Sequence, residues 1–138
     1  MLRGMTTTSE STVFFHQLMP LARALGVEGL EHAPEVVRSR VAWSESLCTS
    51  GGVLHGGTLM ALADGNGAMC AFLNLPEGAK GTTTIESKTN FLRAVSEGHA
   101  TATSRPLHTG RRVIVVETEI HDDAGKLVAK TTQTQAVL

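Results

Sequence analysis

The stretch Leu54-His55-Gly56-Gly57-Thr58-Leu59-Met60-Ala61-Leu62-Ala63-Asp64 reads as a glycine turn running into an apolar helix with one carboxylate in its middle. The helix is expected from about Gly56 to Leu73, with Pro76 closing it. Leu59, Met60, Leu62, Met69, Phe72 and Leu73 leave it no polar face, and a helix that is apolar all round is a buried one. No Lys or Arg occurs between Val41 and Ala79, so Asp64 has no basic partner close in sequence. A charged carboxylate in such a setting is costly to bury, and is kept when it is paired or does chemistry. Asp64 is therefore the first candidate catalytic residue, against the alternative of a buried acid paired to a distant arginine. Gly65 and Gly67 each cost ~1 kcal/mol relative to Ala inside a helix. A second backbone passing close beside Asp64 would account for them.

On the N-terminal side, Phe14, Leu18, Leu21 and Leu25 recur at helical spacing over Ser11 to Leu25, with Ser11 or Thr12 as cap. Pro20 should kink or restart this packing helix and Gly26 should stop it. His16 falls on its polar side. Residues 1–10 read as a short, polar, disordered lead-in, with Met5 an alternative start. Pro34 to Ser44 alternates, with Val37, Ser39, Val41 and Trp43 on one side, and reads as a strand. Ser44 to Leu54 is a loop.

Beyond the helix come four strands joined by short turns: Thr82 to Val95, His99 to Leu107, Arg111 to His121 and Lys126 to Leu138. Short turns join antiparallel neighbours, so the fold class is α+β, one long helix across an antiparallel sheet. Residues 11–138 form one domain, without repeat or linker.

The chain has 138 residues, a formal net charge of −1 and few aromatics, a balance that does not suit nucleic acid or an anionic membrane. No segment reaches the ~20 apolar residues of a membrane span. Cys48 and Cys70 lack metal or redox spacing, which fits a reduced, cytoplasmic setting. His99, His108 and His121 fall on separate strands or turns, so no metal site is expected.

At this point the residues carry a resemblance. Leu54-His55-Gly56-Gly57 with an acid nine residues after the histidine, the run from Thr84 to Val95 (Thr-Ile-Glu-Ser-Lys-Thr-Asn-Phe-Leu-Arg-Ala-Val), and Gly110-Arg111-Arg112 are similar to hot-dog fold acyl-CoA thioesterases of the phenylacetate-degradation and 4-hydroxybenzoyl-CoA type. The similarity runs from about Gly26 to Leu138. It implies a central helix wrapped by an antiparallel sheet, an acyl-CoA substrate, no cofactor beyond the coenzyme A of that substrate, and sites built at the interface of a homodimer or dimer of dimers. Thr84 matches a position where the family uses Ser or Thr near the nucleophilic water, although strands are rich in Thr anyway. Where the family often has Asn or Gln six residues before the histidine, this chain has Thr49, a departure within the expected substrate-binding set of Thr49, Gly57, Thr84 and Phe91.

The chemistry follows from the residues as well. Thioester hydrolysis needs a nucleophile or a base to activate water, and donors for the developing oxyanion. Gly56 and Gly57 at a helix start offer unpaired N–H groups at the positive end of the dipole. Asp64 suits a general base or a nucleophile, and no Gly-x-Ser-x-Gly elbow offers a serine instead. His55 either bonds the acyl carbonyl or fixes the loop. Arg93, Arg111 and Arg112, with Gly110 at the turn, suit the phosphates of coenzyme A, or are solvated turn residues. Met60, Met69 and Phe91 are expected to line the acyl pocket.

Gly56 and Asp64 are eight residues apart on one helix, about 12 Å along its axis, so they cannot reach one thioester carbon together. Asp64 is expected to work with Gly56 of a second subunit across a two-fold axis. Two other readings stand beside this one: a hot-dog hydratase or dehydratase, which the Gly56-Gly57 doublet disfavours, and a non-catalytic acyl-CoA-binding dimer.

Overall fold

Alternation along the strands decides which side of the sheet is covered. In β5 (Val113–His121), Ile114, Val116, Thr118 and Ile120 are fully buried while the residues between them are half-buried. The same period places Val37, Ser39 and Val41 of β2 (Val36–Ala42) inward, and Ala100, Ala102 and Ser104 of β4 (His99–Thr109). With β1 (Glu28–Ala33), β3 (Thr82–Phe91) and β6 (Leu127–Val137), they form one antiparallel sheet in the order β1-β2-β4-β5-β6-β3. The computed structural model describes residues 8–138.

The helix quoted above, α3, spans Gly56–Leu73 and lies against the inward face of the sheet. Its buried residues are spread around it, from Leu59 and Leu62 to Asn66, Met69 and Cys70. Asn66 is fully buried and fully bonded. Its Nδ2 donates to the Val37 carbonyl at 2.9 Å and to Ser104 Oγ at 2.6 Å, while its Oδ1 accepts from Ser39 Oγ at 2.6 Å. Satisfied on every side, this core amide avoids the cost of an unpaired buried polar group.

The N-terminal region forms two helices, α1 (Thr8–Leu18) and α2 (Pro20–Leu25), restarted at Pro20 and ended by Gly26 at φ +72°. Two expectations need correcting here. The first helix begins at Thr8, so Thr8–Glu10 are helical rather than lead-in; the rest of that lead-in, with Met5, lies outside the described residues. Its buried positions are Ser11 and Phe15, while Leu18 and Leu21 are exposed. The stripe follows Ser11 because α1 crosses β1 at Gly29, where a β-carbon would fall 2.6 Å from the Ser11 carbonyl carbon. Only glycine admits that approach. His16 is structural, its Nε2 lying 2.6 Å from the Val27 carbonyl.

Strand β1 was absent from the expected elements. Its buried residues, Gly29 and His32, are three apart because a bulge interrupts the ladder between Gly29 and Glu31, and the bulge hides the period of two. The expected loop over Ser44–Leu54 holds a 3-10 turn, Glu45–Leu47, and a bridge between Cys48 and Leu54. Among the described residues no helix is long and apolar enough to cross a membrane.

Candidate active site

The site begins at the start of α3. His55 is the N-cap, and its Nδ1 accepts a hydrogen bond from the Gly57 amide at 2.7 Å. An accepting Nδ1 puts the ring proton of a neutral imidazole on Nε2. Gly57 is thereby withdrawn from the expected pair of free donors. The Gly56 amide, first in the helix, has no intrahelical acceptor and no other partner among the described residues. The Phe91 ring lies over Gly56, 3.3 Å from where a β-carbon would stand, so this glycine keeps room for the ring. Thr49 is exposed in the preceding loop, its amide bonded to the Val53 carbonyl at 2.9 Å.

Two turns further along, Asp64 is half-buried. Its Oδ1 accepts from Thr84 Oγ1 of β3 at 2.9 Å and from Gln133 Nε2 of β6 at 3.1 Å. Gln135 Nε2 in turn donates to Thr84 Oγ1 at 2.5 Å. Oδ1 is thus held by two donors from two strands, while Oδ2 has no hydrogen-bond partner among the described residues. Among the described residues no arginine pairs with Asp64, and the hydrogen-bond donors on its carboxylate, Thr84 and Gln133, are neutral. Gln133 and Gln135 are fully buried and their Oε1 atoms have no partner among the described residues, so each glutamine is oriented by its donor end.

Gly67 explains how Gln133 reaches the helix. A β-carbon there would fall 2.1 Å from Gln133 Oε1, so a side chain, not the expected second backbone, occupies the space. At Gly65 the nearest atoms are Met19 Sδ at 3.4 Å and the Phe15 ring at 3.6 Å, again side chains. Gln133 and Gln135 were invisible to sequence reasoning. From Lys130 to Gln135 both faces of β6 are polar, so the buried face of Thr131, Gln133 and Gln135 carries no apolar alternation to mark it.

An apolar cavity of about 300 Å³ lies between the N-terminal helices and α3. Met19, Leu21 and Leu25 line it on one side, Leu62 and Gly65 on the other, and Asp64 belongs to its wall. Met60, Met69 and Phe91, expected around an acyl pocket, do not line this cavity. Met69 is sealed in the core, Met60 is exposed on α3, and Phe91 covers Gly56.

The basic residues fall at two places. Arg93 follows β3, its amide bonded to the Val128 carbonyl at the beginning of β6. Gly110, Arg111 and Arg112 form the β4–β5 turn, where the Arg112 carbonyl accepts from Val137 at the end of β6. That strand separates them by roughly 30 Å, so one chain does not gather them into one cluster. All three arginines are exposed. Cys70 is no nucleophile: burial, partly offset by Arg105, pushes its thiol up to about 12. Among the described residues no group of His, Cys, Asp and Glu is arranged to hold a metal.

Comparison with known proteins adds to this geometry. Residues 51–129 match the family model of the thioesterase superfamily. The 1,4-dihydroxy-2-naphthoyl-CoA hydrolase of Escherichia coli K12 is 34% identical over 87 residues, 63% of this chain and 63% of that one. The crystal structure of a thioesterase from Haemophilus influenzae superposes with a TM-score of 0.86 at 25% identity, over 97% of this chain and 92% of its own. The PaaI protein of the E. coli phenylacetic acid degradation operon shares the fold, with a TM-score of 0.83 at 20% identity, over 95% of this chain and 93% of that one. The sheet wrapped on α3 is the hot-dog fold.

Proposed function

The chain belongs to the thioesterase superfamily, and from that membership we propose that it hydrolyses an acyl-CoA thioester to the free acid and coenzyme A. One observation carries this reading. Asp64 has its Oδ1 held by Thr84 and Gln133, its Oδ2 unengaged, and an apolar cavity at its side. As a general base, Oδ2 takes a proton from water while the water oxygen attacks the thioester carbon. The C–S bond then breaks, and the leaving sulfur takes the proton back from Asp64, giving the thiol and restoring the carboxylate. As a nucleophile, the same oxygen attacks the thioester carbon, the C–S bond breaks to release the coenzyme A thiolate, and water then cleaves the mixed anhydride to the free acid and the Asp64 carboxylate. The fixed carboxylate supports either route. The CoA hydrolase among the relatives is consistent with a coenzyme A substrate.

The oxyanion donor in this reading is the Gly56 amide of a second copy. Within one chain the unbroken α3 holds Gly56 and Asp64 about 12 Å apart. Strand β3 is at the edge of the sheet, largely exposed, with Ile85 61% and Phe91 50% accessible. Two such edges paired antiparallel about a two-fold axis leave no open edge there and bring the end of one β3 beside the start of the other. In that arrangement Arg93 of one copy nears the Gly110–Arg112 turn of the other, a basic pair of sites suited to the coenzyme A phosphates. Asp64→Asn, assayed for thiol release across aryl, short-chain and long-chain acyl-CoAs, is expected to fold and to lose most hydrolysis. A variant as active as the wild type would refute the reading.

A further inference from the structure

We propose that the cavity between the N-terminal helices and α3 is the acyl chamber, and that it selects acyl groups carrying no polar substituent. This rests on the thioesterase reading above and names the substrate class of that site. A volume of about 300 Å³ is at the small end for a ligand pocket, enough for a compact acyl or aryl group. Among the residues lining it, Asp64 alone has a charged or hydrogen-bonding side chain. Its Oδ1 is already taken by Thr84 and Gln133, and its Oδ2 is the atom the reaction needs. A hydroxyl carried into the chamber therefore finds no side-chain partner away from the reacting carbon, and an unpaired buried hydroxyl is disfavoured.

The wall is built by a break in the chain. Pro20 restarts the helix, and Met19 before it is extended at φ −132° and ψ 92°. Its thioether meets the space above Gly65, where a β-carbon would stand 3.4 Å from Sδ. Gly65, one residue after Asp64, thus leaves the chamber open beside the carboxylate. Leu21, 61% exposed, is an unexplained apolar surface residue until an acyl group lies against it. The N-terminal helices, whose Leu18 and Leu21 are exposed, have a role as the specificity wall.

The test compares kcat/KM for phenylacetyl-CoA with 4-hydroxyphenylacetyl-CoA, and for octanoyl-CoA with acetyl-CoA. The wild type is expected to prefer the unsubstituted aryl group by roughly tenfold or more, and octanoyl over acetyl. Met19→Gln, which places an amide in the wall at similar length, should move the aryl ratio several-fold toward the hydroxylated substrate. Gly65→Ala should lower the octanoyl preference. Equal rates on the two aryl substrates in the wild type would overturn the proposal without any variant. So would ratios that neither substitution moves. In both cases hydrolysis abolished by Asp64→Asn would leave the thioesterase reading intact, whereas no hydrolysis of any acyl-CoA would remove both.

Discussion

Gln133 Nε2 is 3.1 Å from Asp64 Oδ1, and the side chain that makes this bond fills the place of a β-carbon on Gly67. A residue on the last strand is thereby tied to the carboxylate through a gap in the central helix. With Thr84 on the same oxygen, the carboxylate plane is fixed and one oxygen is left over. Hydrogen bonds to a charged group are among the stronger ones, about 1.5–3 kcal/mol. Gln133→Met keeps the length and removes the donor. Its kcat for the best acyl-CoA is expected to fall roughly tenfold or more, with KM changed much less. Steady-state kinetics with an unchanged kcat would show that Gln133 only fills space.

His55 is open to a test that separates its two roles. His55→Ala removes the cap of α3 and should lower stability by about 1 kcal/mol, read from the urea midpoint. Asparagine is a good N-cap, so His55→Asn should hold stability within a few tenths of a kcal/mol of the wild type. Activity that returns with the cap assigns His55 to the loop alone. Activity still lost in a stable His55→Asn protein assigns the imidazole Nε2 to the substrate.

His32 gives a pH dependence of stability. It is buried against Phe14 and Phe15, with both ring nitrogens unpartnered among the described residues, and burial pulls its pKa from 6.5 down to about 4. Between those values the unfolded chain binds the proton and the folded chain does not. The contribution is therefore complete above pH 6.5, declines as the pH falls toward 4, and is flat below. A shift of that size is worth roughly 3 kcal/mol. Urea midpoints measured from pH 7 to pH 4 should show the decline, and His32→Leu should remove its share of it. A slope that persists undiminished in His32→Leu would place the effect elsewhere.

The proposed sharing of each site between two chains predicts complementation. Gly56→Pro deletes the amide hydrogen at the first helical position, where the helix backbone accepts proline and the half-exposed Phe91 ring must shift to make room for it, and should be inactive, as should Asp64→Asn. Refolded together in equal amounts, half of the dimers carry one intact site of two, so thiol release should recover to about a quarter of wild type. A mixture as inactive as its components would mean that each site is contained in one chain.

The long helix was legible because its signal is local: glycines at the start, unbroken apolar content, a proline beyond the end. Its bounds, Gly56–Leu73, are those expected. Asp64 stood out for the same reason, as the one charge on that helix. What sequence could not yield were relations created by folding. The bulge at Gly29/Glu31 breaks the alternation that reveals a strand and hid β1 altogether. In β6 both faces are polar from Lys130 to Gln135, which hid the two glutamines behind Asp64. Met19 and Leu21 look like ordinary helix residues until the restart at Pro20 turns them toward α3.

The buried bonds of Asn66 have a consequence for a helix that is apolar on nearly every side. Such a helix carries little information about its own rotation, because turning it about its axis exchanges one hydrocarbon surface for another. Asn66 removes that degeneracy. Only one rotational setting gives its amide the Val37 carbonyl, Ser39 and Ser104 together. Residues 64 and 66 are about 200° apart around the axis, so the setting that seats the amide in the core turns the carboxylate away from it. A side chain that never meets substrate thus works as the index mark of the helix, and the aim of Asp64 is set from the opposite side.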